Sequence, residues 1–318
     1  MSRDEWQIWR DSWSLSLRAD DKSPKTIQSY LRAFDLFGAW CRDRGIDGPT
    51  RVLRADVRTY FDAYKERKNQ RTGEPMSKSS IAMDFRNLRV FFNWLNAEED
   101  HPSPMVNVKE PKAAHRRVDT FSDEQLVALL DTCKGKTFED RRDAAIIRVL
   151  FDAGPRRGEL ADMAVSDINF AAQTIRVIGK GRGGRTEDGG GRERLIPFGA
   201  KTAEALNRYL RTRAMHRDAS KSDALWLKNP QNGAGPLLDN GISQMLRRRA
   251  VAAGVPNVHP HRFRHTAYDA FADAGGDGTN AMAIFGWGSR SMLNHYASVG
   301  AERRALKQAK RLSPGDRI

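Results

Sequence analysis

Three short stretches carry residue types that suit one piece of chemistry. They are Gly154-Pro155-Arg156-Arg157-Gly158-Glu159-Leu160, His261-Arg262-Phe263-Arg264-His265, and Phe285-Gly286-Trp287 with Tyr296 nine residues after the tryptophan. A phosphodiester holds its charge on non-bridging oxygens, so two guanidiniums can grip it bidentately while a tyrosine hydroxyl attacks the phosphorus. A phenol has a pKa of ~10 in water. Attack near neutral pH therefore requires fixed positive donors that stabilise the charge of the pentacoordinate phosphorane. Neither metal nor nucleotide is needed for such a step.

The spacing assigns parts to individual residues. Gly154-Pro155 ends one helix and starts another, which places Arg156 in a first turn where backbone N–H groups favour an anion. Glu159, three residues on and on the same face, can orient that guanidinium from behind. His261 and Arg264 lie one helical turn apart and can converge on one phosphate, the histidine as hydrogen-bond or proton partner and the arginine as clamp; His265 points elsewhere and packs structurally. Trp287 offers an indole N–H to a phosphate oxygen. Lys180, between Gly179 and Gly181, can approach a DNA minor groove and protonate a leaving 5′ oxygen, with Arg182, Arg185, Arg192 and Arg194 as alternative backbone binders. Each motif alone has a plainer explanation: a surface Arg–Glu pair, a satisfied helix histidine, a core Trp–Tyr pair, a solvated lysine. Their co-occurrence in one order is what carries weight.

Elements must hold these residues in place. Residues 144–151 are almost wholly apolar and suit a buried helix, and Ser122 with Gln125 forms a capping box ahead of it. Residues 174–178 and 194–198 read as two strands joined by a hairpin whose tip, 181–191, is glycine-rich; the remainder is helical. Earlier in the chain, Ser23-Pro24 starts a helix with apolar residues at Ile27, Tyr30, Leu31, Phe34, Phe37 and Cys41. The pattern recurs at Val57, Tyr60, Phe61 and Tyr64 and again at Ile81, Phe85, Leu88, Phe92 and Leu95. This predicts a small helical bundle over residues 1–108. Prolines and basic residues without apolar period mark a linker at 109–120, and a second domain follows over 121–318. The expected class is mainly α with a small antiparallel sheet, the C-terminal domain being α+β.

A formal net charge of +14 and a pI near 10.0 favour a polyanionic partner, since each neutralised phosphate releases counterions. Lys78, Arg86 and Arg89 on the bundle, with Arg182 and Arg185 on the hairpin, are the expected DNA contacts. Two cysteines, Cys41 and Cys133, exclude a disulfide framework or zinc cluster and read as buried thiols. The N-terminus lacks an apolar signal core, and no stretch approaches the ~20 apolar residues of a membrane span, so the expected location is cytoplasmic, in the nucleoid, with no membrane partner.

With these residues assembled, the chain resembles the tyrosine recombinase (phage integrase) family, Xer-type and Cre-like enzymes included, over nearly its whole length. The resemblance implies catalytic roles for Arg156, Lys180, His261, Arg264, Trp287 and Tyr296, with Glu159 in support. It also implies a SAM-like core-binding domain that clamps double-stranded DNA with the catalytic domain. A 3′-phosphotyrosyl intermediate, a Holliday junction and a tetramer on DNA follow from it, without cofactor, metal or ATP, and with accessory DNA-bending or directionality factors as possible partners. The family position at Trp287 is often histidine, and the extended hairpin tip departs from relatives. Only about twenty residues precede Ser23, so a separate arm-binding domain is not expected. A tail after Tyr296 is expected as a short helix; in the family such a tail docks on a neighbouring subunit, the alternative being packing within its own domain. The alternatives for the whole chain are relaxation of DNA in the manner of a type IB topoisomerase, and a DNA-binding protein without activity.

Overall fold

The computed structural model describes residues 4–69, 72–112, 119–179, 193–297, 300–313 and 315. The chain divides into two compact units, Met1–Arg116 and Arg117–Ile318. Within the expected linker, residues 113–118 lie outside the described residues.

The first unit is built from α1 (Glu5–Ala19), α2 (Pro24–Arg42), α3 (Arg54–Lys65) and α4 (Lys78–Glu99). Ser23 caps α2 through its side chain and Pro24 occupies the first turn; Ser77 caps α4 the same way. The core is largely aromatic, with Trp6, Trp13, Phe34, Phe37, Tyr60, Phe85, Phe91 and Phe92 buried. Their rings meet edge-on or tilted, as in the Phe34–Phe91 pair with centroids 4.5 Å apart. Among the described residues, Asp84 is the one charge sunk in this core, and it is compensated: the Tyr64 hydroxyl donates to it at 2.7 Å and the Arg32 guanidinium pairs with its other oxygen. Helix α1 was not expected from the sequence. Its signals are an Asp4 cap and the helical spacing of Trp6, Trp13 and Leu17, all buried.

The second unit opens with α5 (Asp123–Asp131), capped reciprocally by Ser122 and Gln125, and α6 (Phe138–Ala153). Helix α6 buries Ala145, Ile146, Ile147, Val149 and Leu150, the core helix expected at 144–151. A three-stranded antiparallel sheet follows: β1 (Ile168–Asn169), β2 (Thr174–Ile178) and β3 (Glu193–Pro197), in the order β1-β2-β3, with Ile175 opposite Ile196 and both fully buried. The second strand starts one residue earlier than the sequence suggests. The two-residue β1 is an addition, too short to show an alternating pattern. After α7 (Arg157–Ala161), which precedes the sheet, the unit is completed by α8 (Ala200–Ala214), α9 (Asp239–Ala253), α10 (Pro260–Asp273), α11 (Gly278–Phe285), α12 (Arg290–Ala297) and α13 (Ala301–Arg311). Both cysteines are buried free thiols. Among the described residues no helix is long and apolar enough to cross a membrane.

Candidate active site

Helix α6 ends at Gly154, whose left-handed φ of 51° turns the chain. Helix α10 crosses this turn so closely that a Cβ on Gly154 would lie 2.7 Å from the Cα of Arg264. The glycine therefore fixes the distance between the first arginine motif and the second. Arg264 is buried, and its Nη1 donates to the Gly154 carbonyl at 2.8 Å.

Arg156 does not lie in a first helical turn as the sequence suggested: it is the residue before α7, and its backbone N–H donates to Glu159 Oε2 at 2.8 Å. Its Nη1 donates to Glu159 Oε1 at 2.8 Å and its Nη2 to the Gly286 carbonyl at 2.9 Å. The anion Arg156 meets here is thus Glu159, and 39% of the arginine side chain remains exposed. Glu159 is almost fully buried. Burial pushes its carboxyl up, but the hydrogen bonds and charge of Arg194, together with those of Arg156, outweigh this and hold it at about 2.

Arg194 is the residue that sequence reasoning misplaced. Instead of reaching for a DNA backbone from the hairpin, it turns inward from β3. Its Nη1 and Nη2 donate to Glu159 Oε1 and Oε2 at 3.0 and 2.8 Å, and its Nε to the Ile284 carbonyl at 2.8 Å. A sequence signal existed: strand alternation puts position 194 on the same side as the buried Ile196.

The end of α11 gathers all three guanidiniums. Trp287 N–H closes the helix onto the Met282 carbonyl at 3.0 Å, as in a Schellman end. The next acceptors, the carbonyls of Ile284, Phe285 and Gly286, are taken by Arg194, Arg264 and Arg156 respectively. Gly286 has φ 63°, and a Cβ there would sit 3.0 Å from the Arg194 guanidinium.

Trp287 and Tyr296 pack onto this cluster and are buried. Their rings stack with centroids 4.5 Å apart, and the Arg264 Cζ lies 5.6 and 5.8 Å from the two centroids. Burial drops the Arg264 guanidinium to about 10 despite the nearby Tyr296. The Trp287 indole Nε1 is buried without a hydrogen-bond partner among the described residues. His265, expected only to pack structurally, does so directly on Tyr296, with centroids 4.1 Å apart. His261, the second residue of α10, keeps an exposed side. Shielding of the rest of its ring, with the charges of Arg264, His259, Arg156 and Arg157, pushes its imidazole below the ordinary histidine value. Beside the cluster opens a cleft of about 610 Å³ lined by Arg156, Gly179, Glu193, Arg194, Met282, Ala283, Gly286 and Trp287.

Thus Arg156, Glu159, Arg264, Trp287 and Tyr296 are brought together, with His261 beside them. Lys180, Arg182, Arg185 and Arg192 lie outside the described residues. Lys78 is exposed at the start of α4, whereas Arg86 and Arg89 both reach Glu110, at 2.8 and 3.3 Å. Among the described residues no group of three His, Cys, Asp or Glu side chains is placed to hold a metal ion. The tail helix α13 contacts its own domain: Arg303 and Arg304 pair with Asp269, and Lys307 pairs with Asp273 at 3.1 Å.

The sequence profile of the Phage integrase family matches residues 119–303, and that of the phage integrase N-terminal SAM-like domain matches residues 9–100. The chain is 30% identical to the tyrosine recombinase XerC of Bacillus pumilus over 286 residues, covering 88% of each protein. It is 28% identical to the XerC of Oceanobacillus iheyensis over 282 residues, covering 87% of this chain and 86% of that one. Among solved structures, the Tn1549 transposon integrase in complex with transposon right end DNA superposes with a TM-score of 0.69 at 19% identity, covering 94% of this chain and 99% of that one. A lambda integrase dimer bound to a core site gives 0.64 at 16% identity, covering 91% and 94%. A SAM-like helical domain followed by this integrase domain defines a site-specific tyrosine recombinase. The chain belongs to the phage integrase family, and within it to the Xer type.

Proposed function

We propose that the protein cleaves and rejoins double-stranded DNA through Tyr296. The phenolic oxygen passes its proton to His261 and attacks a phosphorus, a 3′-phosphotyrosyl bond forms, and the bond to the 5′ oxygen breaks, that oxygen taking a proton from Lys180. One phosphodiester replaces another, so rejoining by a 5′ hydroxyl needs neither ATP nor metal. Arg156, Arg264 and Trp287 donate to the non-bridging oxygens, His261 supplies a further hydrogen bond, and Glu159 holds Arg156 in place.

The observation that carries this reading is the stack of Tyr296 on Trp287 beside Arg264, with a buried indole N–H that has no acceptor among the described residues. A buried donor left unpaired costs about 1–3 kcal/mol, and a phosphate oxygen would satisfy it. Two relatives with the same fold are bound to DNA in their structures. The net charge of +14 fits the same partner. Lys78, Arg86, Arg89, Arg182 and Arg185 are its proposed backbone contacts, Glu110 releasing its two arginines on binding. The domains 1–108 and 121–318, joined by 109–120, would close on the duplex. Paired strand exchanges through a Holliday junction in a tetramer, in the bacterial cytoplasm, complete the reading. The SAM-like domain favours recombination over relaxation.

The test is an SDS-resistant adduct between purified protein and labelled DNA flanking its gene, with metal chelated. The wild type should form the adduct and Tyr296→Phe should not. An adduct that persists in Tyr296→Phe would assign the nucleophile elsewhere, and tight binding by both proteins without any adduct would favour a binding protein.

A further inference from the structure

We propose, on the footing of the recombinase reading, that Arg194 is a positioning residue for strand cleavage: it locks Glu159, and through it Arg156, onto the end of α11. Four geometric facts converge. Arg194 uses both terminal nitrogens on both oxygens of one carboxylate, a fork-to-fork pairing that fixes the carboxylate plane. A third N–H, on Nε, is spent on the Ile284 carbonyl, which ties β3 to α11. The carboxylate oxygen Oε1 that accepts from Arg194 also accepts from Arg156, so the two guanidiniums share one acceptor. Finally, Arg156 itself reaches Gly286, two residues after the carbonyl held by Arg194.

Exposure separates the two arginines. The Arg194 side chain is 11% exposed, whereas Arg156 keeps 39% of its side chain open. Both arginines border the cleft, and Arg156 is the more open of the two to a phosphate. Without Arg194, Glu159 would retain only the Arg156 guanidinium and backbone N–H as partners, and the tie from this carboxylate to β3 and α11 would be lost. The tight place of Gly286 against the Arg194 guanidinium shows how little slack the arrangement has. Lysine cannot replace this arginine, because an ammonium is a point charge without the planar fork.

The test uses the full chain and the DNA fragment on which the wild type forms its Tyr296 adduct. Rate of adduct formation at saturating DNA and DNA affinity are measured for Arg194→Ala, Arg194→Lys, Arg156→Ala and the Arg156→Ala Arg194→Ala double variant. A misplaced catalytic group costs on the order of 100-fold, so Arg194→Ala should lose about that much rate while its affinity stays within about twofold. Arg194→Lys should remain close to Arg194→Ala, and the double variant should be no slower than Arg156→Ala alone. Losses that multiply in the double variant, full recovery by lysine, or a fall in affinity that matches the fall in rate would each overturn the proposal, the last by making Arg194 a DNA contact. Thermal melting checks folding; if Arg194→Ala does not fold, Arg194→Gln takes its place in the same comparison. No adduct from the wild type on any fragment would remove the recombinase reading itself, an outcome distinct from an active wild type with an unaffected Arg194→Ala.

Discussion

Gly154 and Arg264 meet backbone to side chain and side chain to backbone: the arginine donates to the glycine carbonyl at 2.8 Å, and there is no room for a Cβ between them. Gly154→Ala must adopt a left-handed φ and push back the backbone of α10. The substitution should cost about 1–3 kcal/mol, read as a lower urea midpoint, and adduct formation should fall with it. An unchanged midpoint would show that the two helices are not locked here.

Trp287→Phe separates activity from stability. The ring stack on Tyr296 survives, but the unpaired buried N–H is removed. Loss of one preorganised donor typically lowers a rate about 100- to 1,000-fold, while relief of the unsatisfied buried donor, about 1 kcal/mol, offsets part of the cost of the cavity left by the smaller ring. An unchanged rate would mean that the indole N–H does not reach the phosphate.

Glu159 makes the fold pH-dependent in a defined window. Its folded carboxyl stands at about 2 against an ordinary 4.5. A depressed carboxyl contributes stability that is fully present above the ordinary value and is lost as pH falls toward the folded one. That contribution is on the order of 3 kcal/mol. The stability gap between wild type and Glu159→Gln, measured in urea, should therefore be widest above pH ~5 and shrink steadily below it. A gap independent of pH would refute the burial of a paired carboxylate.

His261 should titrate below the usual histidine range in the free protein, because shielding and the neighbouring positive charges both disfavour the imidazolium. An anionic duplex placed against Arg156 and Arg264 reverses the sign of the local field, so the same imidazole should titrate higher in the complex. Histidine ring resonances followed by NMR with and without DNA check both halves. A titration that DNA leaves unmoved would place the phosphate elsewhere.

Helix α13 has no buried residue and is held to its domain through charge, chiefly by Arg303 and Arg304 on Asp269. Asp269→Ala should weaken that docking by about 1 kcal/mol, which is roughly fivefold in the opening equilibrium. Hydrogen exchange over residues 301–311 should quicken accordingly while α6 stays protected. Unchanged exchange would mean that other contacts carry the helix.

Much of this was legible in the sequence because it was local. Caps at Ser23 and Ser122, the apolar period of α6 and the one-turn spacing of His261 and Arg264 depend on near neighbours along the chain. What escaped was set by partners far away in sequence. Arg194 looked like one more hairpin cation, and its inward turn depends on Glu159, 35 residues earlier, and Ile284, 90 residues later. The place of Arg156 ahead of α7 rather than inside it was missed because its own carboxylate partner competes for the backbone N–H. Helix α1 was overlooked although its tryptophans carry the helical period, since the exposed apolar residues Ile8 and Leu15 blur its polar face.

The acceptors that hold Arg194, Arg264 and Arg156 belong to three consecutive residues at one helix end. The spacing of the first two is thus inherited from the ~1.5 Å rise and ~3.6-residue turn of an α-helix, and that of the third from the left-handed turn at Gly286. It does not come from the loops that bring the arginines there. Loop lengths around the three side chains can drift without changing where the guanidiniums come to rest, whereas a slip of α11 by one residue would shift all of them together.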